Sequence, residues 1–407
     1  MYALIGKRLG HSYSVPIHKE LGNKNYTLCE IAPEDLLDFM REHNFKGINV
    51  TIPYKEAVLP YLDEISDRAK KIGSVNTIVN RNGKLYGDNT DYYGFSHMAK
   101  SAGISFDNKK VIILGSGGTS LTAQAVAKDE GAREIIVVSR KGEDNYDNLY
   151  LHYDAEIIIN CTPVGMYPNV EDTIIDLEPF TKLCGVIDVI YNPSKTNLLI
   201  DAKKRGIPHT NGLSMLVAQA KLAHELFFDT KVADSEIERI RRILELDKVN
   251  IILVGMPGSG KTTLSSIIAN ELGRNVLDTD DMIVKKEGRS IPEIFATEGE
   301  EYFREIEAEC IKHACGYERK VIATGGGAVI SEDNRRAIMR NSIVIWLKRD
   351  ISELAREGRP LSSVDDDKMK LLYDKRAPYY KEVADIIIDV DTDQNRSANE
   401  IIKKLRS

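Results

Sequence analysis

The chain lacks the marks of several protein classes. Its five cysteines (Cys29, Cys161, Cys184, Cys310 and Cys315) are odd in number, scattered, and never spaced Cys-x-x-Cys, which argues against a disulfide framework and gives no zinc-ligand spacing. They are expected to be reduced core thiols of a cytoplasmic protein. The opening MYALIGKRLGHS has no basic region followed by a long apolar stretch, and no run approaches the ~18 apolar residues a spanning helix needs. Neither a leader nor a membrane partner is expected. Basic excess is missing too: 55 Lys and Arg face 62 Asp and Glu, for a formal net charge of −7. Without a Lys/Arg stripe there is no electrostatic footprint for nucleic acid, although local basic pockets for small anions remain open. Internal repeats and low-complexity tracts are also absent.

What is present is ordinary globular composition, 42% hydrophobic and 29% charged over 407 residues. At roughly 150 residues per domain this gives two or three units, each able to bury a core. Short β-branched runs alternate with helix-compatible stretches, the α/β pattern on parallel sheets. Strands are predicted at 48–51, 111–114, 135–139, 156–160 and 185–189, and in a second series at 249–254, 321–323, 343–347 and 385–388. The main boundary is placed near Asp247. There Ser235 with Glu238 reads as a capping box opening an amphipathic helix with Ile237, Ile240, Ile243 and Leu244 inward, and no flexible spacer separates the halves. A lesser boundary is placed near Ile104.

In the first half, VIILGSGGTS sets a buried strand before Gly115, Gly117 and Gly118, where backbone N–H groups at a helix N-terminus can meet a pyrophosphate. Ser120 occupies the third glycine position of that motif. The next strand ends in Ser139, Arg140 and Lys141, where an NAD enzyme would place an acid for the ribose 2′-hydroxyl; a hydroxyl and two cations suit a 2′-phosphate, hence NADP(H). A solvated basic turn is the alternative, and Glu143 and Asp144 lie nearby.

Around this pattern stand GHSYSVPIH (10–18), GINVTIPYKEAV (47–58), IGSVNTIV (72–79), YGDNTDYYGF (86–95), INCTPVGM (159–166), DVIYNP (188–193) and NGLSMLVAQA (211–220). In this order they resemble the shikimate dehydrogenase family over residues 1–245. The resemblance implies a two-lobed fold, with a substrate lobe over 1–103, a Rossmann-like NADP lobe over 104–210, and helices from about 211 to 247 packing back on the first lobe. It implies Lys55 and Asp91 as the catalytic pair, since reduction of a carbonyl needs a proton for the developing alkoxide; a plain ion pair is the alternative. It also implies that Ser12, Ser14, Thr51, Asn76, Tyr191 and Gln219 hydrogen-bond the hydroxyls and carboxylate of dehydroshikimate, with Asn160, Thr162 and Met166 on the cofactor side. His11 and His18 are taken as structural.

The second half holds IILVGMPGSGKTT, a complete G-x-x-x-x-G-K-[ST] from Gly255 to Thr262 between an apolar strand and a helix-forming stretch. Gly255, Gly258, Ser259, Gly260, Lys261, Thr262 and Thr263 are expected to form the cradle for the phosphates of ATP, Lys261 reaching the β/γ oxygens and Thr262 offering a hydroxyl to Mg²⁺. Beyond it, LDTDDMI (277–283), GRSIPEIFATEGEEYFREIE (288–307), TGGGAV (324–329), GRPL (358–361) and KRAPYY (375–380) resemble shikimate kinase over 249–407, a P-loop α/β fold of the nucleoside-monophosphate-kinase kind. That resemblance implies Asp280, Arg304, Arg376 and Gly325, Gly326 and Gly327 around shikimate, and Asp278 beside the Mg²⁺. It places Arg359 on a lid from Arg356 to Asp367 and an adenine contact near Asn395 and Arg396.

The halves thus imply consecutive reactions on one small ring acid, with no nucleic-acid or membrane partner and the oligomeric state left open. Two alternatives stand. A ligand-sensing regulator built from retired domains would have lost Lys55, Asp91, Lys261 or Arg376, and all are present. An NAD-dependent quinate/shikimate dehydrogenase would carry an acid at 139–141.

Overall fold

Apolar runs that cannot leave either face in water become the central strands. The computed structural model describes residues 1–10, 12–354 and 366–406. It divides into two units, Met1–Tyr191 with Asp201–Arg241, and Asn192–Ile200 with Arg242–Ser407.

The first unit holds two sheets. One contains β1 (Tyr2–Gly6), β2 (Tyr26–Glu30), β3 (Gly47–Val50), β4 (Glu64–Ile65), β5 (Thr77–Arg81) and β6 (Lys84–Asp88) in the order β2-β1-β3-β5-β6-β4. It is mixed, because β5 runs antiparallel to both β3 and β6. Asn82 (φ 57°) and Gly83 (φ 89°) turn the β5–β6 hairpin, two positive-φ positions that Asn-Gly fills with least strain. The second sheet contains β7 (Lys110–Leu114), β8 (Glu134–Val138), β9 (Ile157–Asn160), β10 (Gly185–Asp188) and β11 (His209–Thr210) in the parallel order β11-β10-β9-β7-β8. Its central strands β7 and β9 are buried along their whole length, as expected where helices cover both faces. The helix Leu213–Phe228 packs against the helix Asp91–Ser101 and β5. The two helices approach so closely at Gly94 that a Cβ there would lie 2.6 Å from the Met215 carbonyl.

The second unit is one parallel sheet of β12 (Asn250–Val254), β13 (Asn275–Asp278), β14 (Lys320–Ala323), β15 (Ser342–Lys348) and β16 (Ile386–Asp389), ordered β13-β14-β12-β15-β16. The chain leaves β12 where strand order reverses, the place at which open α/β sheets bind ligands.

Three expectations change. The division between units falls after Arg241, inside the uninterrupted helix Ser235–Lys248, rather than near Asp247. On that helix Ile237, Ile240 and Leu244 are buried but Ile243 is 40% exposed, and the Glu238 carboxylate is engaged by Arg241 at 2.7 Å. Cys184 is exposed rather than a core thiol, whereas Cys310 is buried. Among the described residues, no helix is long and apolar enough to cross a membrane.

Candidate active sites

In the first unit a cavity of about 450 Å³ gathers Ser12, Ser14, Thr51, Lys55, Asn76, Asp91, Tyr191 and Gln219. Thr51 follows β3, Asn76 precedes β5, Asp91 opens its helix, and Gln219 comes from Leu213–Phe228. Lys55 Nζ donates to Asp91 Oδ2 at 2.6 Å, with the side chains 24% and 12% exposed. Asn76 Oδ1 accepts from the Thr90 N–H at 2.7 Å and from the Thr90 hydroxyl at 3.1 Å. An amide oxygen so engaged leaves Nδ2 as the donor available to a ligand.

The reading from sequence passed over Arg8 and Asn49, which line the same cavity. Asn49 Oδ1 accepts from the Tyr26 hydroxyl at 2.7 Å and from His18 Nε2 at 3.2 Å. His18 is buried and stacked on Tyr26 at 3.8 Å. Burial first, then the neighbouring His224, lowers its pKa to about 3, so it is neutral and a scaffold residue.

On the second sheet, Gly115 takes φ 102°, and a Cβ there would sit 2.9 Å from Thr162 Cγ2. Gly117 caps the helix Gly118–Asp129, and a Cβ at Gly117 or Gly118 would meet nothing within 4 Å. That open helix N-terminus fits a dinucleotide pyrophosphate. Ser120 is buried inside the helix and accepts from Gln124 at 3.2 Å, which is how a hydroxyl is tolerated at the third glycine position. Ser139, Arg140 and Lys141 follow β8 directly; the two cations are exposed and form no ion pair among the described residues, while Asp144 is tied to His152 at 2.9 Å. Met166 is 45% exposed. Asn160 departs from expectation: it is fully buried, donating to Asp188 at 3.1 Å and accepting from the Thr162 N–H and hydroxyl at 2.9 and 2.7 Å. It shapes the turn that carries Thr162 and does not face a cofactor.

In the second unit a cavity of about 450 Å³ brings together Gly258, Gly260, Lys261, Thr262, Thr263, Asp278, Asp280, Arg304, Gly325, Gly326, Gly327 and Arg376. Lys261 Nζ donates to the Gly255 and Met256 carbonyls, each at 2.9 Å, and so is held over the loop. Thr262 Oγ1 donates to Asp278 Oδ2 at 2.9 Å, and Asp278 Oδ1 accepts the Asp280 N–H at 3.0 Å. A hydroxyl and a carboxylate so paired suit Mg²⁺ bound with a nucleotide. Arg304 Nη1 meets Glu307 Oε2 at 2.7 Å, and Arg376 Nη1 donates to the Gly326 carbonyl at 3.1 Å. Burial raises the Glu307 pKa, and Arg304 opposes the shift. The glycines are needed for room, since a Cβ at Gly327 would collide with Arg304 Nη1 and one at Gly325 would lie 2.8 Å from Asp280 Oδ1.

Three residues of the expected nucleotide set lie off this cavity. Gly255 (φ 149°) is pressed against β15, a Cβ there lying 2.6 Å from the Leu347 carbonyl, so it shapes the loop. Ser259 is fully buried. Arg396 is 79% exposed and pairs with Asp391 at 3.1 Å; Gln394 lines the cavity instead, because positions two apart on a helix do not share a face. Glu307, Arg349 and Gln394 were not singled out from sequence, although Glu307 closes the quoted run 288–307, three residues after Arg304. Arg359, His11 and nearly all of the lid from Arg356 to Asp367 lie outside the described residues.

Fold and sites together define a nicotinamide-dinucleotide dehydrogenase unit followed by a P-loop kinase unit. The family model described as shikimate dehydrogenase substrate binding domain matches residues 4–78, and that described as shikimate kinase matches residues 257–406. The shikimate dehydrogenase (NADP(+)) of Clostridium beijerinckii is 37% identical over 264 residues, 60% of this chain and 97% of that protein; that of Clostridium perfringens is 36% identical over 261 residues, 59% and 96%. Among solved structures, a chorismate mutase/shikimate 5-dehydrogenase fusion protein from Clostridium acetobutylicum matches with a TM-score of 0.57 and 38% identity over 60% of this chain and 96% of that one. Shikimate 5-dehydrogenase from Thermus thermophilus in complex with NADP(H) and shikimate matches at 0.54 and 29%, over 60% and 98%. The chain belongs to the shikimate dehydrogenase family and carries a shikimate kinase domain behind it.

Proposed function

We infer that the chain is a bifunctional enzyme of the shikimate pathway. It reduces 3-dehydroshikimate with NADPH and a proton to shikimate and NADP⁺, then phosphorylates shikimate with ATP to shikimate 3-phosphate and ADP. One observation carries this reading: a single chain holds two cavities, one built on Lys55 and Asp91 among hydrogen-bonding side chains, the other on a P-loop facing Asp280, Arg304 and Arg376. We read residues 1–103 as the substrate lobe, with the helices from about 211 to 247 packed back on it, 104–210 as the NADP lobe and 249–407 as the kinase. The enzyme acts in the cytoplasm on small molecules.

In the first site Ser12, Ser14, Thr51, Asn76, Tyr191 and Gln219 hold the ring acid. Their buried hydroxyl and amide groups penalise analogues that leave them unpaired. Lys55 gives its proton to the oxygen of the carbonyl as that oxygen becomes an alkoxide, and Asp91 at 2.6 Å orients the ammonium for the transfer. NADPH, held by Gly115, Gly117, Gly118, Thr162 and Met166 with Ser139, Arg140 and Lys141 at the 2′-phosphate, supplies the hydride.

In the second site Arg304 and Arg376 take the carboxylate through charge-assisted hydrogen bonds. Asp280 orients the 3-hydroxyl and accepts its proton. Gly258, Gly260, Lys261, Thr262 and Thr263 hold the phosphates, and Thr262 with Asp278 holds Mg²⁺. ATP with Mg²⁺ supplies the phosphoryl group and offsets its charge, and Arg359 of the lid adds positive charge at the transferring group. The reading is tested with dehydroshikimate, NADPH and ATP: NADPH loss and shikimate 3-phosphate are both expected, and omitting ATP should stop only the second.

A further inference from the structure

The cavity of the first unit is lined by one more charged residue, Arg8, in the loop between β1 and the helix Ser14–Glu20. Charge on the rest of the lining cancels. Lys55 and Asp91 neutralise each other at 2.6 Å, and Ser12, Ser14, Asn49, Thr51, Asn76, Tyr191 and Gln219 are neutral. Arg8 is exposed and forms no ion pair among the described residues. Glu30, below the same loop, is used differently, accepting the Leu9 N–H at 2.7 Å. A cavity with balanced catalytic charges and one further guanidinium on its wall is electrostatically suited to a ligand carrying a single negative charge.

We propose that Arg8 is a specificity-determining residue that binds the carboxylate of the ring acid, adding a charge to the neutral hydrogen-bonding groups of the wall. The proposal rests on reading this cavity as the shikimate site. A guanidinium presents two parallel N–H donors to a carboxylate, a geometry a lysine ammonium cannot reproduce. The carboxylate takes no part in the chemistry and keeps its charge throughout, so its anchor binds ground state and transition state alike. Such uniform binding is read in KM and leaves kcat unchanged.

The test compares shikimate with its methyl ester as substrates for oxidation by NADP⁺, using the full chain with Arg8, Arg8→Gln and Arg8→Lys. The unaltered protein should prefer the acid. In Arg8→Gln the KM for shikimate should rise about tenfold with kcat retained, the ester's constants should stay unchanged, and Arg8→Lys should fall between. Added salt should weaken acid binding in the unaltered protein more than in Arg8→Gln. An acid-to-ester ratio in Arg8→Gln equal to that of the unaltered protein would overturn the proposal, as would an equal loss for both substrates, which marks a structural role. Failure of the unaltered protein to oxidise shikimate would instead overturn the reading of the site on which the proposal rests.

Discussion

Glu307 sits one helical turn beyond Arg304 and takes its guanidinium at 2.7 Å while almost wholly buried. The carboxylate thereby holds a cavity-lining cation in a wall where a Cβ on Gly327 would already collide with it. Glu307→Gln keeps the shape and removes the charge. The KM for shikimate in the kinase reaction should rise about tenfold or more, with the KM for ATP and the rate of dehydroshikimate reduction unchanged. Separate steady-state assays of the two reactions check this.

Lys55→Ala should lower the reduction rate by about 10² to 10⁴, the usual worth of a positioned general acid, and leave phosphorylation of added shikimate intact. Asp91→Asn, which keeps a hydrogen-bonding group but not the charge beside Lys55, should be the milder change. Stopped-flow measurement of NADPH oxidation reads both.

Arg140 and Lys141 stand exposed just after β8 and form no ion pair among the described residues. Replacing both by Asp should raise the KM for NADPH about tenfold or more while leaving that for NADH unaffected or lower. Equal loss with both coenzymes would mean that these cations do not meet the 2′-phosphate.

His18 sets a pH dependence of stability. Its folded pKa, about 3, lies below the ~6.5 of an unfolded chain. Between those values the unfolded state binds a proton that the buried imidazole does not, so stability falls as pH drops from about 6.5 toward 3, at up to about 1.4 kcal/mol per pH unit. Denaturant titrations of the first unit's transition should show that slope, and His18→Gln should flatten it.

Much of this molecule is legible in its sequence because the chemistry is concentrated in short runs. All nine predicted strands occur, most within one residue of their expected ends, since buried parallel strands are unbroken apolar runs. Of the strands not singled out, β2 and β13 have exposed or half-buried positions that blur the signal, whereas β1 is buried along nearly all its length. The hairpin at Asn82-Gly83 carried a legible turn signature that was not used. Side-chain direction was not legible: Asn160 sits in a motif beside Thr162 yet turns inward to Asp188, and Arg396 faces away from the cavity that Gln394 lines. Arg8 and Asn49 join the first site through tertiary packing that no local spacing records.

Two independent sites on one chain are tested most directly by Lys55→Ala and Lys261→Ala, each given dehydroshikimate, NADPH and ATP, and then shikimate and ATP alone. Lys55→Ala should yield shikimate 3-phosphate only from added shikimate. Lys261→Ala should consume NADPH at the unaltered rate and accumulate shikimate. Loss of both activities in either folded variant would contradict the account.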